Sequence, residues 1–150
     1  MKNSKFKIRN FAVLFCIFHF AFFISSCSVP VLEPAECSAA RQTVREFYSF
    51  HFGNEMNFSA ENLRQREKFL SPQFVESLKN LQTDADVFTT GDTDYPKAFR
   101  AGECRLTAPD RTEIKVLLFW KDDVRSEQRE IKVEAVRQND KWLIDKIIQK

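Results

Sequence analysis

The sequence predicts an α+β domain in which helices come first and an antiparallel sheet follows. Apolar residues recur at helical spacing between residues 38 and 81, and they alternate with polar residues from about residue 103 to the end of the chain. Helices that precede a run of strands joined by short polar turns are typical of α+β domains, in which each layer buries its apolar face against the other.

Residues 1–26 are predicted to be an export signal. Residues 1–10 carry four cations and no acid, and an apolar run of 14 residues, FAVLFCIFHFAFFI, follows them. A helix of that length rises about 21 Å, whereas the hydrocarbon core of a bilayer is about 30 Å thick. The run is therefore short for a membrane span and typical of a signal peptide, with an uncleaved anchor as the alternative.

The end of this segment, Ile24-Ser25-Ser26-Cys27, resembles a bacterial lipobox, in which an aliphatic residue and two small ones precede a cysteine. The resemblance implies cleavage before Cys27 and attachment of a lipid to its thiol, which would anchor the chain to a membrane. The non-acidic Ser28 implies, by the same resemblance, an outer-membrane location in the bacterial cell envelope, facing the periplasm. An ordinary signal peptide with a coincidental cysteine is the alternative.

Removal of the leader changes the charge of the chain. The whole chain has 23 Lys and Arg against 21 Asp and Glu, but the leader contains four of the cations, so the mature part has a net charge of −2. Nucleic acid is therefore not an expected partner. The 124 mature residues suit one domain, with residues 27–36 as a proline-containing tether and residues 37–150 as the folded part.

Two cysteines remain for the folded part, Cys37 and Cys104, once Cys16 leaves with the leader and Cys27 carries lipid. An exported domain can form disulfides, so we predict a bridge between them that contributes about 4 kcal/mol. Two unpaired cysteines are the alternative. His51 is the one histidine of the mature part, and together with two isolated cysteines it forms no zinc-binding spacing. Neither a metal nor a cofactor is expected.

Three helices are predicted before the sheet. The first begins at Ser38 and ends at Gly53, and its apolar face holds five residues at helical spacing. These five residues are Ala40, Val44, Phe47, Tyr48 and His51. Ser59 is the expected N-cap of a short second helix. Ser71 and Pro72 are the expected N-cap and first residue of the third helix.

Residues 83–102 are predicted to be a long irregular connection, of the kind that is functional or disordered. Four aspartates lie in it, at positions 84, 86, 92 and 94. A calcium-binding loop that starts at Asp84 would need an oxygen ligand and a glycine where Phe88 and Thr89 stand. The aspartates therefore predict a solvated acidic loop with Asx-turns.

The rest of the chain is predicted to be an antiparallel meander. A first strand covers residues 103–108, and the later strands are separated by the turns KDDVRSEQ and QND. Because successive side chains of a strand point to opposite faces, the alternation assigns each residue to one face of the sheet. The residues predicted to be buried are Val116, Leu118 and Val133, and those predicted to be exposed are Lys115, Lys132 and Glu134.

The chain contains four short stretches, VREFYSFHF, LSPQF, FTTGDTDYP and WLID, within residues 40–148. In this order they resemble the nuclear-transport-factor-2-like superfamily, and more narrowly the exported lipoproteins of the domain-of-unknown-function 3828 family. The resemblance implies a curved sheet that wraps the first helix into a cone. It implies no agreed activity and no catalytic residues.

Phe47, Tyr48 and His51 are the candidate site residues, because the apolar face of the first helix would look into the cone. The alternative for His51 is a structural histidine at the helix end, where the helix dipole favours it and it bonds a last-turn carbonyl. They could line a pocket for a small apolar ligand. The favoured function is a lipid-anchored, non-enzymatic module that binds such a ligand or an envelope protein. One alternative is a lyase- or isomerase-like enzyme in which His51 acts with an acid such as Asp145. Another is a periplasmic immunity or inhibitor protein whose acidic loop meets a basic toxin.

Overall fold

The computed structural model describes residues 33–149. The predicted leader, the predicted lipid-attachment residue Cys27 and most of the predicted tether lie outside the described residues. Within residues 33–149, no helix has the length and apolar character that crossing a bilayer requires.

Three helices precede four strands, as the sequence predicts. The helices are α1 (Ala35–Phe52), α2 (Ala60–Arg66) and α3 (Pro72–Leu78), with a 3₁₀ turn (Glu67–Phe69) after α2. The strands are β1 (Ala98–Ala108), β2 (Arg111–Lys121), β3 (Ser126–Gln138) and β4 (Lys141–Ile148). The sheet has the order β1-β2-β3-β4 with antiparallel neighbours, which is the predicted meander.

Both predicted serine caps are present. The hydroxyl of Ser59 accepts a hydrogen bond of 3.1 Å from the backbone N–H of Asn62, and the hydroxyl of Ser71 accepts one of 3.1 Å from that of Phe74. Each bond satisfies an N–H group that has no partner inside its helix. Pro72 occupies the first position of α3, where the missing N–H of proline costs nothing.

Helix α1 begins three residues earlier than predicted. The N–H groups of Cys37 and Ser38 both donate to the carbonyl of Pro34, at 3.0 and 3.3 Å, so the first turn forms at Ala35. The end of the segment predicted to be a tether is therefore helical.

Strand β1 also begins earlier than predicted, at Ala98 rather than at residue 103. The ring of Phe99 lies 5.5 Å from that of Tyr48 and 5.1 Å from that of Phe52, measured between centroids. This aromatic contact holds the segment before the predicted strand against α1, and the segment pairs with β2 from the Ala98–Phe119 position onward.

Helix α1 lies on the inner face of the curved sheet and contacts all four strands. The alternation in β2 and β3 sets the faces as predicted, because Val116, Leu118 and Val133 are fully buried. They belong to one hydrophobic core that the inner face of the sheet shares with α1, α2 and α3.

The outer face of the sheet differs from the prediction. Lys115, Lys132 and Glu134 are half-buried rather than exposed. Lys115 forms an ion pair of 2.8 Å with Glu103, and Lys132 forms one of 3.0 Å with Glu113. These ion pairs hold the aliphatic parts of the two lysine side chains along the sheet, and the aliphatic parts cover some of its outer face.

The predicted disulfide joins Cys37 to Cys104, with 5.7 Å between the two Cα atoms. This separation is typical of an unconstrained bridge. The bond links the first turn of α1 to β1, so the start of the described chain is attached covalently to the sheet.

Candidate functional site

The site centres on the last turn of α1, where the three candidate residues lie. Phe47, Tyr48 and His51 are all fully buried. The segment between α3 and β1 folds over them and brings Asp86 and Phe88 into the same region, where both are also buried.

Both ring nitrogens of His51 are hydrogen-bonded to charged side chains. Nε2 lies 3.0 and 3.1 Å from the two carboxylate oxygens of Asp86, and Nδ1 accepts a hydrogen bond of 2.8 Å from Nε of Arg66. An arginine N–H can only donate, so Nδ1 must hold a lone pair and the ring hydrogen must be on Nε2. The geometry therefore assigns a neutral His51 that accepts from Arg66 and donates to Asp86.

Asp86 organises the loop that contains it. One carboxylate oxygen accepts a bond of 2.9 Å from the N–H of Phe88, which forms an Asx-turn, and the other accepts one of 2.6 Å from the hydroxyl of Thr89. The backbone carbonyl of Asp86 accepts from the N–H of Gly91 at 2.9 Å. Gly91 has φ of 71°, a left-handed conformation that glycine adopts without strain.

Arg66 extends the network from α2. Its terminal nitrogens donate to the carbonyls of Asn62 and Glu55, at 2.8 and 2.7 Å. Burial lowers the pKa of the Arg66 guanidinium, and the nearby carboxylate of Asp86 opposes that change. A buried cation and a buried anion thus face each other across the His51 ring, each with further hydrogen bonds, as buried charges require.

Aromatic contacts surround this network. The hydroxyl of Tyr48 donates to the carbonyl of Phe88 at 2.7 Å. Burial raises the pKa of Tyr48 well above its usual value, and the charge of Asp86 adds to the rise. The Phe47 ring stacks on His51 at 5.6 Å and meets Phe88 edge-on at 5.3 Å, between centroids.

Several predictions about the site need correction. The pocket expected beside Phe47, Tyr48 and His51 is filled by protein, because Phe88 packs against all three residues. The acidic loop is only partly solvated, since Asp86 is fully buried.

The expected pairing of His51 with Asp145 does not form. The carboxylate of Asp145 instead accepts from the hydroxyl of Ser71 at 2.5 Å and from Arg111 at 3.0 Å. The carboxylate beside His51 belongs to Asp86, which the sequence does not distinguish from its neighbouring aspartates. The sequence does not indicate Arg66 as a site residue either, because an arginine on a short helix normally faces solvent.

An open groove lies apart from this network, between α2 and the segment that follows α3. It has a volume of about 410 Å³. Its lining comes from two segments of the chain, residues 58–67 and residues 79–83. Its lining residues are Phe58, Ser59, Ala60, Leu63, Arg64, Glu67, Lys79, Leu81, Gln82 and Thr83.

Comparison of the chain with protein-family models and with curated proteins finds no match. Comparison with solved structures finds similar folds. A protein of unknown function from Bacteroides thetaiotaomicron superposes with a TM-score of 0.52 and 21% identity, over 74% of this chain and 89% of that one. An Ntf2-like potential transfer protein, TraM of the Gram-positive conjugative plasmid pIP501, superposes with a TM-score of 0.53 and 16% identity, over 75% and 95%. The fold is therefore nuclear-transport-factor-2-like, as the sequence resemblance implied.

Proposed function

We propose that the chain is a lipid-anchored protein of the bacterial cell envelope that binds a small ligand or a protein partner and catalyses no reaction. The hydrogen bonds of His51 are the observation that supports the absence of catalysis in this proposal. A general base needs a lone pair that can reach a substrate proton. In His51 one nitrogen is bonded to Arg66, the other faces Asp86, and the ring is fully buried.

The same network argues against a lyase or isomerase that would use His51. Such an enzyme needs a cavity beside its base, and Phe88 and Tyr48 fill the space beside this ring. Tyr48 and His51, the titratable residues at the end of α1, bond to Phe88 and Asp86 and so hold the loop before β1 in place. A ligand or partner would therefore bind elsewhere, at the protein surface.

The anchored part of the proposal is supported by the sequence before the described residues. A basic segment, an apolar run of 14 residues and the stretch Ile24-Ser25-Ser26-Cys27 stand in the order of a lipoprotein leader. The resemblance to the lipoproteins of the domain-of-unknown-function 3828 family agrees with this order. Ser28 favours the outer membrane, with the domain facing the periplasm.

Mass spectrometry of the membrane fraction tests the anchor. We expect a first residue at Cys27 that carries acyl groups, and we expect Cys27→Ala to release the chain from the membrane. Several acyl chains hold a protein stably, at about 0.8 kcal/mol for each buried CH₂. An intact Met1 on most copies of the chain would contradict the anchored part of the proposal.

A further inference from the structure

We propose that residues 84–92, the Asp86 loop, form a strap over the end of α1 that acid releases through protonation of His51. This regulatory device goes beyond the proposed binding function and does not depend on the lipid anchor. At neutral pH the strap covers the aromatic residues of α1. In acid it opens and exposes them to water.

The Asp86 loop lies outside the helices and strands, and its attachment to the rest of the fold is limited. Besides the packing of the Phe88 ring, two side chains of α1 hold it. His51 bonds to the carboxylate of Asp86, and Tyr48 donates to a backbone carbonyl of the loop. Gln149 reaches another carbonyl of the loop only at the long distance of 3.5 Å. The closed position of the loop therefore depends strongly on the bond between His51 and Asp86.

The closed network has no place for a second hydrogen on the His51 ring. Nε2 carries the ring hydrogen and faces Asp86 at 3.0 Å, and Nδ1 accepts from Nε of Arg66 at 2.8 Å. A hydrogen added to Nδ1 would meet the N–H of Arg66, with one donor against another. The terminal nitrogens of Arg66 are held by the carbonyls of Asn62 and Glu55, at 2.8 and 2.7 Å, so Arg66 cannot turn away without losing these bonds. Protonation of His51 therefore requires the network to come apart.

The charges that face the ring lead to the same conclusion. Arg66 of α2 is a cation, Asp86 of the loop is an anion, and Tyr48 of α1 is neutral because burial raises its pKa. The sheet faces α1 with apolar core residues. The charges of Arg66 and Asp86 balance each other, so a protonated His51 would leave an excess positive charge in a buried network. Such a charge is costly away from water.

Opening of the strap gives Nδ1 of His51 access to water. An imidazole in water binds a proton below about pH 6.5, whereas the carboxylate of an aspartate does so only near pH 3.9. Between about pH 7.5 and about pH 5 the added proton therefore goes to His51, and it goes to the open form. The closed form is fully favoured above about pH 6.5. Below that, the ratio of open to closed molecules rises by at most about tenfold for each pH unit.

Hydrogen exchange of backbone amides measures this opening in the full chain, purified from membranes in a non-ionic detergent. The exchange rates are corrected for the intrinsic pH dependence of amide exchange. We expect the protection of the Phe88 and Gly91 amides to fall about tenfold or more between about pH 7.5 and about pH 5. At both values of pH it should remain well below the protection of Val116 in the β2–β3 ladder, because the strap opens while the sheet stays folded.

Two variants separate protonation from a merely weaker attachment of the loop. In His51→Gln the amide can still donate to Asp86 and accept from Arg66, but it does not titrate, so the pH dependence of Phe88 protection should disappear. Tyr48→Phe keeps all the groups that titrate in this range and loses one bond to the loop. It should lower the protection about fivefold at both values of pH and leave the pH dependence unchanged.

The ¹⁵N spectrum of the His51 ring gives a reading that needs no variant: Nδ1 should stay free of hydrogen for as long as the Phe88 amide stays protected. Four results would overturn the inference. They are a protection of Phe88 that does not fall with pH, the same fall in His51→Gln, equal protection of Phe88 and Val116, and a ring protonated on Nδ1 while Phe88 remains protected.

Discussion

Nε of Arg66 donates a hydrogen bond of 2.8 Å to Nδ1 of His51. Because the guanidinium can only donate, this bond places the ring hydrogen on Nε2, where it faces Asp86. The neutral ring thus connects a buried cation to a buried anion, and it joins α2, α1 and the loop before β1. Loss of either charged partner should therefore disturb all three segments.

The first prediction concerns the charge of Asp86. Asp86→Asn removes the anion and leaves the Arg66 cation buried without compensation, so we expect the free energy of unfolding to fall by about 3–5 kcal/mol. Urea denaturation measures this loss. The matched control is the exposed Asp84→Asn, which should change stability by less than about 0.5 kcal/mol. Equal losses for the two variants would show that Asp86 is not part of a buried charge network.

The second prediction concerns the coupling between Arg66 and Asp86. Arg66→Met should destabilise the protein because it leaves the Asp86 carboxylate buried without a cation. Combined with Asp86→Asn, it should cost less than the sum of the two single changes, by about 1–3 kcal/mol. A double-mutant cycle in urea measures this difference, and additive losses would contradict a charge interaction carried across the His51 ring.

The third prediction concerns the ionisation of Tyr48. Burial raises its pKa in the folded state, whereas the phenol of the unfolded chain ionises near pH 10. The contribution of the neutral phenol to the free energy of unfolding is fully present below about pH 10. It is lost as the pH rises from there through the folded pKa, by at most about 1.4 kcal/mol for each pH unit.

Unfolding free energies measured between about pH 9 and pH 11 test this dependence on the phenol. Tyr48→Phe loses the hydrogen bond to Phe88, worth about 1 kcal/mol, at every pH. Its stability should nevertheless fall less steeply than that of the unmodified protein above pH 10. If the free energies of unfolding of the two proteins fall in parallel as the pH rises, ionisation of Tyr48 does not contribute to the loss of stability at alkaline pH.

The fourth prediction concerns the disulfide. Peptide mapping without reductant should find Cys37 linked to Cys104, and replacement of both by alanine should cost about 2–5 kcal/mol. The loss should mainly weaken the packing of α1 against the sheet, because the bridge attaches the first turn of α1 to β1. Free thiols at both positions in protein purified without reductant would contradict the bridge.

The parts of the fold that the sequence predicts depend on local patterns. Ser59 and Ser71 can be recognised as caps because each satisfies backbone N–H groups only three residues away. The buried positions Val116 and Leu118 follow from alternation along a single strand. These signals need no information about distant parts of the chain, so the element types and the order of the sheet could be predicted.

The candidate site could not be predicted in the same way, because its contacts are not local. His51 meets Arg66 across 15 residues and Asp86 across 35 residues, and no repeating pattern relates these positions. The position of Phe88 explains why Asp86, rather than one of the other three aspartates of the loop, contacts His51. Its burial against α1 draws in the neighbouring residues, and an aspartate two positions earlier can then close an Asx-turn onto its N–H.

The protonation of the His51 ring tests most directly the claim that this histidine holds the structure together and does not act as a base. Cleavage before Cys27 would leave His51 as the single histidine of the chain, so ¹⁵N-histidine labelling would give one imidazole spectrum. At pH 7 we expect hydrogen on Nε2, none on Nδ1, and slow exchange of the Nε2 hydrogen with water; Arg66→Met should alter the Nδ1 signal. A ring protonated on Nδ1, or one that exchanges rapidly with solvent, would contradict the account.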